Sequence, residues 1–229
     1  MRICLFSDIH GNGPAFRAAH PMIMSEKADV HVFLGDLCGY YFDQNEIFIL
    51  LQSIPNLVAL RGNHDQFFLK ILKGDKELRK MYLKQYGYSM ENLLAENTQS
   101  MTQWLSELRA FCSWHDVNLA ACHGSPWDHL EGYVYPDSSL ERFRDDPASL
   151  FFLAHTHHPM ARKIEDKLIV NPGSLGQPRG GARPSYAVID CSSMEVIFRD
   201  FSYDPTALLQ QIDELDGSSP YLKKHLLNN

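Results

Sequence analysis

No Cys-x-x-Cys pair occurs in the chain, and its five cysteines are an odd number. That excludes a thiolate zinc site of the usual spacing and a complete disulfide framework. Cys4, Cys122 and Cys191 lie inside apolar runs, so buried, reduced thiols and a cytoplasmic location are expected. No apolar run approaches the roughly 20 residues of a membrane-spanning helix, so no membrane partner is expected. Ile3-Cys4-Leu5-Phe6 follows Met1-Arg2 directly, which leaves no room for a cleaved leader. Positive charge is also short: 21 Lys and Arg face 28 Asp and Glu, a formal net charge of −7. Such a chain is not drawn indiscriminately to nucleic-acid backbones or anionic lipid. Internal repeats, low-complexity tracts and linkers are absent, so residues 1–229 read as one domain with a substantial core.

What is present begins with alternation. Residues 2–7, 30–34 and 57–60 read as strands, with helices expected over 14–25 and 45–53 between them. Asn12 is placed to cap the first helix, with Pro14 in its first turn. This order predicts an α/β fold with largely parallel pairing in the first half. The stretch from about 66 to 108 has no proline and carries Leu, Lys, Met, Glu and Gln at helical spacing. It predicts a helical insertion of two or three helices, broken at Gly74 and Gly87. The insertion either caps a cleft and restricts substrate size or serves as an oligomer contact. Further strands are expected over 117–122, 150–153, 167–170, 186–190 and 195–198. A helix is expected over 206–215, and a frayed tail at Asn228-Asn229.

Five short motifs follow strand-like runs in order: Asp8-Ile9-His10, Gly35-Asp36, Gly62-Asn63-His64-Asp65, His123-Gly124 and His155-Thr156-His157. Loops at one sheet edge converge, and open α/β folds keep their ligands there. Any one motif alone is commonly a turn or a solvated surface group, but the conjunction at successive strand ends supplies two divalent ions. Asp36 is the candidate bridge. Asp8, His10 and His157 complete one site, and Asn63, His123 and His155 the other. Two carboxylates against two dications leave net positive charge for phosphate. Such ions neutralise phosphoryl oxygens and acidify a bound water, so a metal-dependent phosphoesterase is expected. Imidazole with carboxylate suits manganese, iron, cobalt, nickel or zinc better than calcium.

His64 is the candidate general acid for the leaving oxygen. Asp65 either orients His64 or caps the helix beginning there. Tyr40, Tyr41 and Phe42 either line the approach to the metals, ready to stack on a nucleobase or aryl group, or pack their loop onto the sheet. Residues 171–181, rich in Gly and Pro, either present backbone N–H groups and Arg179 to a phosphate or form a structural turn.

These motifs resemble the calcineurin-like metallophosphoesterase superfamily, whose blocks run D-x-H, G-D, G-N-H-D/E, H and G-H-x-H. The likeness to its small prokaryotic phosphodiesterase branch extends to Gly35-Asp36-Leu37-Cys38-Gly39-Tyr40, His123-Gly124-Ser125-Pro126 and Asn171-Pro172-Gly173-Ser174. The resemblance covers residues 1–200 apart from the insertion. It implies a four-layer α/β/β/α sandwich of two mixed sheets, the ligand assignment above, and manganese as a frequent activator. Two positions depart from the pattern. Ala154 stands where a glycine precedes His-x-His, and the G-D-x-x-D-R-G signature of protein Ser/Thr phosphatases lacks its second Asp and its Arg here. The expected substrates are therefore small-molecule phosphodiesters or phosphoanhydrides, such as nucleotides or dinucleoside polyphosphates. A phosphomonoesterase is the nearest alternative, then a protein phosphatase. A non-catalytic scaffold of the same fold would show eroded ligands, whereas every ligand is present.

Overall fold

Alternation along the first strand decides the layering. In β1 (Arg2–Phe6), Ile3 and Leu5 enter one apolar cluster, whereas Cys4 and Phe6 enter another. The two-residue period of a strand requires this split. The computed structural model describes residues 1–217 and 220–227; the expected frayed tail at Asn228-Asn229 lies outside the described residues.

The first half runs α1 (Gly13–Ser25), β2 (Val30–Phe33), α2 (Gln44–Gln52), β3 (Leu57–Ala59), then four helices: α3 (Asn63–Leu72), α4 (Lys76–Tyr86), α5 (Ser89–Ala95) and α6 (Gln99–Glu107). The second half carries β4 (Phe111–Trp114), β5 (Leu119–Cys122), β6 (Leu150–Phe152), β7 (Pro159–Ile164), β8 (Lys167–Pro172), β9 (Ser185–Asp190) and β10 (Glu195–Asp200). Helices α7 (Thr206–Asp216) and α8 (Pro220–Leu227) close it. One five-stranded sheet has the order β10-β9-β1-β2-β3, the other β4-β5-β6-β8-β7. Within them β1, β2 and β3 pair in parallel, as do β5, β6 and β8, and antiparallel strands flank both sets.

The two sheets pack face to face through Ile3, Leu5, Val32, Leu119, Leu150 and Val170, among others. Helices cover the outer face of the first sheet, where Phe16, Ile47, Phe68 and Leu105 join one cluster. The outer face of the second sheet is covered by residues 123–149, through Val134, Leu140 and Phe143, the last in a 3₁₀ turn over Glu141–Phe143. The Asn12 Oδ1 accepts from the Ala15 N–H at 3.0 Å, so the expected cap is in place.

The insertion holds four helices rather than two or three. Gly74 and Gly87 do break it, and a further break falls at Glu96–Thr98. Strands β4 and β7 and helix α8 are additional to the sequence expectation. β7 begins at Pro159 and carries Arg162 and Lys163 on an edge, a pattern with little apolar signal. Among the described residues no helix is long and apolar enough to cross a membrane.

Candidate metal centre

Loops at the C-terminal ends of five strands deliver the foreseen donors. Asp8 and His10 follow β1, Asp36 follows β2, Asn63 and His64 follow β3, His123 follows β5, and His155 and His157 follow β6. All are buried except His155, which is half-buried. Donor atoms fall within 4.8 Å of one another in three groups: Asp8, His10 and His157; Asp36, His123 and His155; and His10, Asp36 and His64. The Asp36 Oδ2 lies 3.6 Å from His10 Nε2 and 3.3 Å from His123 Nε2, so one carboxylate faces both halves. Asn63 joins the second half, its Oδ1 3.0 Å from His123 Nε2.

The backbone is bent to achieve this. Asp8, His10, Asp36, His155 and His157 all have positive φ, between 53° and 67°. A non-glycine residue held there costs about 1–3 kcal/mol, and such strain collects at functional sites. Gly62 has an ordinary φ but no room: a Cβ there would lie 2.1 Å from Asp36 Oδ1.

The donors fit a cation better than they fit one another. The Nδ1 groups of His10, His123 and His157 lie 2.9, 3.0 and 2.6 Å from the carbonyls of Cys38, Leu34 and Gln177. A carbonyl only accepts, so each Nδ1 carries a proton and Nε2, turned inward, is the nitrogen left for a metal. His10 Nε2 and His157 Nε2 then face each other at 3.0 Å with lone pairs opposed. Both Asp8 oxygens, Asp36 Oδ2 and His155 Nε2 are buried without a hydrogen-bond partner among the described residues. Orphaned acceptors gathered in such groups are satisfied by divalent ions.

Burial and mutual repulsion hold His10 and His64 well below the usual imidazole range, and bring His155 down to about 3. His123 goes the other way: burial alone would lower it, but the adjacent Asp36 pushes it up to about 9. Burial raises Asp36 itself to about 6. Between about 6 and about 9 the two therefore form an ion pair in the metal-free protein. A metal and that proton compete for the same Nε2. Metal affinity is accordingly expected to rise with pH across this window, level off above about 9, and fall steeply below about 6 as Asp36 protonates. Calorimetric titration of metal-free protein in buffers of different ionisation heat will report the released proton; affinity independent of pH from 6 to 9 would contradict the ligand set.

Asp65 resolves in favour of the cap. Its carboxylate accepts from the N–H groups of Asp36, Cys38 and Gly62 at 2.9, 2.9 and 3.0 Å. It fixes the loop after β2 to the start of α3 and does not orient the His64 ring, which meets the Tyr82 hydroxyl at 2.8 Å through Nδ1. The His64 backbone N–H donates to Asp36 Oδ1 at 2.9 Å. Ala154 displaces no donor: its side chain joins the inter-sheet core and its carbonyl accepts from Asn171 Nδ2.

Above the donors lies a cleft of about 530 Å³. Tyr40 and Arg179 line it as foreseen, but Tyr41 does not: it is fully buried against Leu208, Ile212 and Leu222, with Phe42 beside it. Successive residues of a tight loop point apart, so only one of the neighbouring tyrosines reaches the site. Arg179 donates to Gln177 Oε1 and to the Tyr221 hydroxyl. Tyr86, Tyr133, Tyr135 and Thr156 also line the cleft and are additional to the sequence reading, as is Tyr82 behind His64; His158 lines it as well. The signal for two of them was Tyr133-x-Tyr135, an alternation that leaves both rings on one side when Val134 between them joins the core.

Residues 1–194 match the calcineurin-like phosphoesterase superfamily domain. An uncharacterised protein of Methanocaldococcus jannaschii is 27% identical over 225 residues, covering 88% of both chains. A metallophosphoesterase from Sphaerobacter thermophilus superposes with a TM-score of 0.81 at 24% identity, covering 100% of this chain and 99% of the other. A hypothetical protein of Pyrococcus horikoshii OT3 gives 0.79 at 18% identity, covering 97% and 96%. With a matching domain over most of its length and a donor cluster suited to metal, the chain belongs to the calcineurin-like phosphoesterase superfamily.

Proposed function

We propose that this protein hydrolyses phosphodiester or phosphoanhydride bonds of small molecules, nucleotides and dinucleoside polyphosphates among them, with two resident divalent ions. The observation that carries this reading is the pair of donor groups meeting at Asp36 on the floor of a tyrosine-lined cleft. Asp8, His10, Asp36 and His157 would hold one ion, and Asp36, Asn63, His123 and His155 the other. Manganese is the metal we assign first; iron, zinc, cobalt and nickel suit the same donors. Bound there, divalent ions supply compensation for phosphoryl charge and an acidified water.

The chain's own groups do the rest. His64 gives its proton to the leaving oxygen. Arg179, braced by Gln177 and Tyr221, offers a fixed cation to phosphate oxygens at the rim. Tyr133 and Tyr135 stack at 5.7 Å with an interplanar angle of 10°, and both are exposed, at 56% and 40%. Tyr133 also lies 4.3 Å from the His155 ring, which puts an aromatic face beside the reacting centre. Such faces suit a planar base, whose stacking is worth about 1–3 kcal/mol. The protein-phosphatase alternative is weakened by the missing Arg after Gly39, and the scaffold alternative by the intact donor set.

Chelator-stripped protein resupplied with Mn²⁺ and given a nitrophenyl phosphodiester beside the matching monoester tests the reading. Faster turnover of the diester is expected. Tyr133→Ala should raise KM for a nucleotide diester about tenfold, with little change for a methyl analogue. Preference for the monoester would reassign the reaction, and no turnover of either with metal bound would favour a scaffold.

A further inference from the structure

We propose that Tyr82, on α4 of the helical insertion, is the positioning residue of His64: its hydroxyl donates to His64 Nδ1 and holds the ring with Nε2–H turned to the cleft. The inference rests on the reading of His64 as proton donor.

Three observations converge on it. First, Tyr82 is fully buried, and its Oη sits 2.8 Å from Nδ1 with the two rings nearly perpendicular at 82°. Second, His64 differs from the ligand histidines His10, His123 and His157 in its partner. Their Nδ1 atoms face carbonyls, which fix the proton on Nδ1 and leave Nε2 bare for a metal. A hydroxyl can donate, so His64 alone of these four has a partner that permits Nδ1 to accept and Nε2 to carry the proton. Third, the loop after β2 is cleared for this contact. Gly39 has φ +102°, and a Cβ there would lie 2.6 Å from His64 Nδ1 and 2.9 Å from Tyr82 Oη. The neighbouring acid cannot substitute, because the Asp65 carboxylate already holds three backbone N–H groups. Burial keeps the phenol protonated, hence a donor, by raising Tyr82 well above the ordinary tyrosine range.

The arrangement makes the insertion part of the reaction. A correctly held Nε2–H matters only when the departing oxygen needs a proton, so the effect of losing Tyr82 must depend on the leaving group.

The test compares wild type, Tyr82→Phe, His64→Ala and the double variant, all Mn²⁺-loaded and assayed for metal content. Two substrates are used: a nucleoside 5′-phosphate esterified to nitrophenol, and the same nucleotide esterified to ethanol. Tyr82→Phe is expected to lower kcat on the ethyl ester about tenfold, with KM, metal content and nitrophenyl turnover nearly unchanged. The double variant should equal His64→Ala, because a positioning residue acts only through the group it positions. Ring ¹⁵N spectra of the zinc-loaded protein should show His64 protonated on Nε2 in wild type and a tautomer mixture in Tyr82→Phe. Equal loss on both esters, or a loss that adds to that of His64→Ala, would overturn the role of Tyr82. If His64→Ala is itself indifferent to the leaving group, the proton-donor reading falls first and this inference with it.

Discussion

Asp36→Asn is expected to abolish measurable turnover and to lower bound metal, about two ions per chain on the proposed reading, to one or none. The reason is the position of one oxygen. Asp36 Oδ2 faces His10 and His123 from between them, unpartnered and buried, so it is the donor common to both halves. An amide is isosteric but neutral, and an NH₂ in place of Oδ2 has no lone pair to offer a cation. Its Oδ1 partner, the His64 N–H, can still be served by the amide oxygen, so the loop should survive. Metal analysis by emission spectrometry, with thermal melting as a control for folding, separates loss of ions from loss of structure. Retention of both ions with a normal rate would remove Asp36 from the centre of the site.

His64→Ala should cut kcat on an alkyl ester by about 10²–10⁴-fold, and far less on a nitrophenyl ester, while sparing metal content and KM, because a general acid contributes on that scale. The geometry makes this a genuine contest. His64 also comes within 4.8 Å of His10 and Asp36, close enough for a ligand. Its ring, however, borders Tyr40, Tyr86 and Phe67 and is anchored by Tyr82, whereas His10 meets only Tyr40 among such rings. Equal metal loss in the His64→Ala and Asp36→Asn variants would sink the acid assignment.

The sequence exposed the donors because each follows a strand, and strand periodicity is a local signal. Asp8, Asp36 and His123 could be placed at one edge from that alone. The cap at Asn12 was legible for the same reason, being settled within three residues. The substrate wall was not. Tyr86 and Tyr133 reach the cleft, and Tyr82 the back of His64, by tertiary folding of an insertion and a long irregular segment, and neither carries a register to read. Tyr41 shows the converse: proximity in sequence to Asp36 suggested the site, but the C-terminal helices supply an apolar face that claims it. Edge strands β4 and β7 escaped because almost all their residues are half-buried or exposed, which blurs the apolar alternation.

The donors divide unevenly between the sheets. Asp8, His10, Asp36 and Asn63 leave the first, whereas His123, His155 and His157 leave the second, so each half of the centre draws on both. Any ion seated there is a rivet through the sandwich, and the two sheets cannot slide or part without surrendering it. Catalytic readiness and the integrity of the sheet interface are then one equilibrium, in which chelation loosens the fold and occupancy tightens it.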